Sequence, residues 1–123
     1  MPSQAQMKAA LQAYIDAYNR GDLDGIVGLY AADCQVEDPV GNPPMKGPAA
    51  VREFYQGAFA TGAKLRLTAG PNGSHGNAAA MAFEAVLPNG AYVRVIDVMT
   101  FDDAGKFASM KAYWGPEDFI QPS

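Results

Sequence analysis

The sequence predicts an α+β fold, with N-terminal helices packed on a curved, mostly antiparallel sheet. Three observations carry that reading. Apart from a short alternation over Cys34 to Asp38, apolar residues recur at helical spacing as far as Phe59, and at a spacing of two from Lys64 onward. Helices come first and strands afterwards, which is the order of an α+β chain rather than of an alternating one. The 123 residues, 49% of them hydrophobic and 18% charged, suffice for one packed core, so a single domain over 1–123 is expected.

The first helix opens on Ser3-Gln4-Ala5-Gln6, which has the form of a capping box. Met7, Leu11, Tyr14 and Tyr18 then recur on one stripe, and Arg20 followed by Gly21 closes the helix. Asp22 can cap a short second helix whose apolar face is Leu23, Ile26, Val27 and Tyr30. Cys34 to Asp38 alternates as a strand, stopped by Pro39. A Gly/Pro-rich loop from Gly41 to Gly47 leads to Pro48, in the first turn of a third helix that presents Val51, Phe54, Tyr55, Ala58 and Phe59. Lys64–Thr68 is a short alternating strand, and Gly70 to Asn77 reads as turn chemistry throughout. Strands over 78–87, 91–101 and 106–114 follow, the first two joined by a hairpin at Pro88-Asn89-Gly90. Gly115-Pro116 ends the order, and the tail is expected to fray.

Composition excludes several classes. A net charge of −4 leaves no basic stripe to neutralise phosphates, so nucleic acid is not an expected partner. No run approaches the ~20 apolar residues of a membrane span. Met1-Pro2-Ser3-Gln4 has neither the basic nor the apolar region of a signal peptide, and one cysteine suits a reducing compartment; the expected location is the cytoplasm.

Two acids stand out. Asp38 falls in phase with Cys34 and Val36, at the mouth of an apolar surface, where a carboxylate is costly unless partnered or used. Asp before Pro is also a common turn starter, so both readings stay open here. Asp97 is the only polar member of the face Val93, Val95, Asp97, Met99, Phe101, and a one-residue slip would bury Arg94 instead. The alternatives for Asp97 are a salt bridge or a bulge that turns it outward. Tyr14, Tyr30 and Tyr55 also fall towards the interior, where a phenol needs a partner. A strand-end carboxylate able to act as a base, beside a buried carboxyl kept neutral, would divide the labour of proton abstraction next to a carbonyl. His75 lies in a turn and Cys34 has no partner pattern, so no nucleophile–histidine or metal-ligand set competes.

These residues resemble the bacterial steroid Δ-isomerases (ketosteroid isomerases). The resemblance rests on helix-borne Tyr14, on Val36-Glu37-Asp38-Pro39-Val40-Gly41 and on Val95-Ile96-Asp97-Val98-Met99. The segments Gly21 to Val27, Glu53-Phe54-Tyr55 and Ala112-Tyr113-Trp114 extend it over nearly the whole chain. It implies the cystatin-like α+β cone shared with nuclear transport factor two, an apolar cleft, a 3-ketosteroid substrate, no cofactor, no metal and a homodimer. It further implies that Asp38 is the general base and that Tyr14 and protonated Asp97 donate to a dienolate oxygen; this enzyme is the standard example of a carboxylic acid held neutral by its site. Tyr30 and Tyr55 would hydrogen-bond behind Tyr14, and Phe54, Met81, Phe83, Met110 and Trp114 would line the cleft. Two alternatives accompany it: a non-catalytic binder of steroids or other hydrophobic ligands, and a polyketide-cyclase-like or epoxide-hydrolase-like enzyme of the same fold. A homodimer is also consistent with the outward face carrying Tyr92, Ile96 and Val98, which invites burial.

Overall fold

The structure, a computed structural model, describes residues 1–122. Its elements are α1 (Gln4–Asn19), α2 (Leu23–Val27), β1 (Tyr30–Glu37), β2 (Met45–Lys46), α3 (Gly47–Ala60), β3 (Lys64–Asn72), β4 (Ala78–Val86), β5 (Tyr92–Phe101), β6 (Phe107–Tyr113) and β7 (Phe119–Ile120). The sheet runs β2-β1-β6-β5-β4-β3, with β7 added to β5 beyond the end of β6. All pairings are antiparallel except β1 with β6. α1 packs on β3 and β4 and α3 on β1, so the helices cover one face of an open sheet, as expected of an α+β chain.

Local chemistry explains most boundaries. Ser3 and Gln6 exchange both hydrogen bonds of the capping box at the start of α1. Asp22 accepts from the Gly25 N–H at 2.9 Å and caps α2. Asn19, the last residue of α1, both donates to and accepts from the backbone of Leu65 at 2.8 Å, which ties the helix end to β3. Between the helices and the sheet lies one core, including Met7, Leu11, Ile26, Val36, Val51, Met99 and Phe107.

Four expectations need correction. Tyr30 is not on α2: that helix ends at Val27, with Gly28 as its C-cap, and Tyr30 opens β1 opposite Phe107. The loop after Gly41 includes a two-residue strand, because Met45 and Lys46 pair with Val36 and Gln35. β3 continues to Asn72, through the expected turn. It does so by gaining a residue at each of two register shifts: Leu67 to Ala69 faces Phe83 to Ala82, and Ala69 to Asn72 faces Ala82 to Ala80. Gly70, at φ +85, adopts a backbone conformation within this bulged stretch that a side chain would strain. Finally, the tail does not fray after Pro116. Residues Pro116–Asp118 form one 3-10 turn, stabilised by the Asp118 carboxylate accepting from Gly115 N–H at 2.8 Å, and β7 then pairs with Tyr92 and Val93.

Candidate active site

The parallel pairing of β1 with β6 brings two strand ends together. Glu37 lies opposite Lys111, and the N–H of Val40 donates to the Ala112 carbonyl at 2.9 Å. Asp38 and Trp114, each one residue beyond its strand, therefore meet: the Trp114 indole Nε1–H donates to Asp38 Oδ1 at 2.9 Å. Burial pushes the Asp38 pKa up, because water no longer solvates the anion, while the Trp114 hydrogen bond acts in the opposite direction.

Asp97 has the setting that the period of two predicts. It is 1% exposed at the centre of β5, with Met81 opposite on β4 and Ala112 opposite on β6. Neither of its carboxylate oxygens has a hydrogen-bond partner among the described residues. Both alternatives, the salt bridge and the outward bulge, are thereby absent at this position. Loss of water raises its pKa far above the ordinary aspartate range, and the charge of nearby Asp38 raises it further. Both causes favour the protonated form of this carboxyl.

Three phenols form a chain in the same interior. Tyr55 on α3 donates to Tyr14 on α1 at 3.0 Å, and the hydroxyls of Tyr30 and Tyr55 are 2.6 Å apart. Tyr55 has one proton and gives it to Tyr14, so Tyr30 is the donor to Tyr55. The proton of Tyr14 is left uncommitted. Burial pushes all three hydroxyls well above the usual phenol value, with Asp97 among the charges acting on each. Edge-on ring packing of Tyr14 and Tyr30 against their neighbours fixes the arrangement.

A cavity of about 330 Å³ opens onto this cluster. Tyr14, Asp38, Tyr55 and Trp114 are part of its lining. Phe54, Phe83 and Val95 make the wall, and Thr61, Leu87 and Phe119 stand at the more exposed end. Of the residues expected to line a cleft, Phe54, Phe83 and Trp114 do so. Met81 and Met110 do not; they are 2% and 0% exposed, respectively, and sit in the core outside the cavity lining. Both share the inward phase of their strands and lie level with Asp97 and Met99, respectively. Tyr30, bonded to Tyr55, and Asp97 are not on the cavity surface. Sequence reasoning missed Tyr18, Leu65, Val93 and Phe119 as lining residues. A signal existed for Tyr18, which shares the Tyr14 stripe, but the contribution of Phe119 depends on β7. A larger concavity of about 760 Å³ touches Arg94, Ile96 and Tyr113, and none of Tyr14, Asp38 or Asp97 borders it. No group of three potential metal ligands exists among the described residues.

A helix-covered open sheet with an apolar cavity, lined in part by Asp38, Tyr14 and Tyr55, defines a nuclear-transport-factor-two-like domain. The chain belongs to the SnoaL-like domain family, whose model matches residues 11–110. It is 41% identical over 119 residues to a steroid Δ-isomerase of Nocardioides simplex, covering 94% of this chain and 95% of that protein. It is also 30% identical to the epoxide hydrolase LasB of Streptomyces lasalocidi, over 95% of this chain but 50% of LasB. Among solved structures, the epoxide hydrolase/cyclase-like enzyme SalBIII, studied for pyran ring formation in the polyether salinomycin, superposes with a TM-score of 0.82. It shares 29% identity, over 94% of this chain and 95% of SalBIII.

Proposed function

We propose that this protein is a steroid Δ-isomerase that moves the double bond of β,γ-unsaturated 3-ketosteroids into conjugation. The observation that carries the proposal is a strand-end carboxylate, Asp38, and an uncommitted donor, Tyr14, on the lining of one apolar cavity, with the unpartnered Asp97 buried close enough for its charge to act on Tyr14. Asp38 takes a proton from the carbon between the ketone and the double bond. The electron pair moves onto the ketone oxygen, giving a dienolate to which Tyr14 and Asp97 donate. Asp38 then returns the proton to the far end of the former double bond, so one base suffices and nothing is consumed. Tyr30 and Tyr55 orient Tyr14 from behind. A flat hydrocarbon nucleus with few polar handles suits a cavity of this size and polarity.

The epoxide hydrolase relatives support a second reading. The same base could deprotonate a hydroxyl or water while a neutral donor protonates an epoxide oxygen. Absorbance separates the two. A conjugated enone should appear when a β,γ-unsaturated 3-ketosteroid meets the protein, and opening of a terminal-epoxide model substrate should not be accelerated. Epoxide opening without enone formation would reverse the assignment, and tight steroid binding without any turnover would make the protein a carrier.

The exposed Ile96 and Tyr113, 52% and 46% accessible, support a homodimer formed through the outer sheet face. A single sedimentation boundary at monomer mass at micromolar protein would exclude it. Among the described residues no helix is long and apolar enough to cross a membrane. A cytoplasmic site of action is part of the same proposal, supported by the lone reduced Cys34.

A further inference from the structure

Tyr18 stands one helical turn beyond Tyr14 on the same stripe of α1, a rise of about 6 Å. Its ring is held edge-on by Phe59, with centroids 4.9 Å apart, and by Tyr55 at 6.4 Å. The residue is only 6% exposed, yet its hydroxyl makes no hydrogen bond to any described residue. That hydroxyl is not sealed in the core either, because Tyr18 borders the cavity. Tyr14, Tyr30 and Tyr55 are chained to one another, whereas Tyr18 stands apart from the chain. A buried phenol ordinarily finds a partner, and phenylalanine would satisfy the same ring packing. Its hydroxyl therefore has no structural task.

The wall around it has few other donors to offer. The Thr61 hydroxyl donates to the Ala58 carbonyl at 2.6 Å, and the Trp114 N–H is taken by Asp38. Phe54, Leu65, Phe83 and Val95 supply only hydrocarbon. Besides Tyr14, Tyr18 is thus the one uncommitted side-chain donor on the cavity lining, among the described residues. Burial and the charge of Asp38 both raise its pKa, so it stays a protonated donor at neutral pH.

We propose that Tyr18 determines specificity, its hydroxyl binding a hydroxyl or keto oxygen on the middle rings of the steroid, about one helical turn from the 3-keto oxygen. The cavity then favours 3-ketosteroids oxygenated on ring C over those with a bare hydrocarbon middle. This inference rests on the isomerase reading above. The test compares kcat/KM for two β,γ-unsaturated 3-ketosteroids that differ only in a ring-C keto group, in wild type and in Tyr18→Phe. The ratio of the oxygenated to the bare substrate should fall about tenfold in the variant, through KM rather than kcat. An unchanged ratio in a variant with wild-type melting temperature overturns the inference and leaves the isomerase reading intact. Failure of wild type to convert either steroid overturns both. A second measurement needs no variant: the ring-C-oxygenated α,β-unsaturated product should inhibit wild type several-fold more tightly than the bare product. Equal or weaker inhibition overturns the inference.

Discussion

Asp38 and Asp97 carry the same side chain in two settings, and the contrast between them underlies the proposed division into a base and a neutral acid. Asp38 lies just past a strand end, partly exposed, and accepts a hydrogen bond from Trp114 at 2.9 Å. Asp97 lies mid-strand, between Met81 and Ala112, without a partner. Loss of water raises both pKa values, but the indole N–H restrains the rise at Asp38, and the Asp38 charge adds to the rise at Asp97. Whichever carboxyl ionises first makes the other hold its proton, and the strand-end group is the one equipped to ionise. Location relative to the strand end, not residue type, separates the two.

The largest effect that would break this contrast is at Asp38. Asp38→Asn keeps the size and polarity of the side chain but removes the base, so turnover should fall by at least ~10²–10⁴ while steroid binding persists. A variant that isomerises at the wild-type rate would take the base assignment away from Asp38. Next comes the donor side. Tyr14→Phe removes the only phenol proton left free by the chain through Tyr55, and should cost ~10²–10³ in kcat. If Tyr14→Phe instead raised KM with kcat unchanged, Tyr14 would be a ground-state binding group and not a stabiliser of developing charge.

Much of this contrast is legible before any coordinates are known. The period of two along Val93 to Phe101 turns Asp97 inward because any other register would bury Arg94. The capping box and the 3.6 period place Tyr14 on a buried stripe. What sequence cannot reach depends on pairing between distant segments. The Trp114–Asp38 bond joins residues 76 apart and exists only because β1 and β6 run parallel. Tyr30 continued an apolar pattern too short to separate helix from strand, so its membership of β1 emerged only with its partner Phe107. Alternation tells which face a residue occupies but not how far along the strand the cavity reaches. Met81 and Phe83 share one face, and only Phe83 borders the cavity. Phe119 is legible only once β7 folds back onto β5.

A smaller effect concerns stability and sharpens the neutral state of Asp97. Its folded-state pKa lies well above that of the unfolded chain, so the native state holds a proton that the unfolded state releases. The stability this represents is fully present below an unfolded pKa of about 4, and it is lost as pH rises towards the folded value, at about 1.4 kcal/mol per pH unit. Asp97→Asn cannot titrate and should lack that slope. Denaturant melts of both proteins from about pH 4 upward should therefore diverge, with the variant gaining on wild type at each step. Parallel curves would mean that Asp97 ionises normally.

The smallest effect is expected at Trp114, and it tests the other half of the contrast. The indole N–H favours the Asp38 anion, so Trp114→Phe removes the one interaction that lowers the Asp38 pKa while leaving an aromatic ring in the cavity wall. The base must be ionised to act, so kcat falls as pH drops through the Asp38 pKa, and in the variant that acid limb should lie at higher pH. A charge-assisted hydrogen bond of about 1.5 kcal/mol corresponds to a loss of up to about tenfold on the limb, with a much smaller loss on the plateau. Measuring kcat at saturating steroid separates this from any weakening of binding by the altered ring. A limb that stays in place while the plateau falls would make Trp114 a packing residue, and the restraint on Asp38 would then have to come from its partial exposure to water.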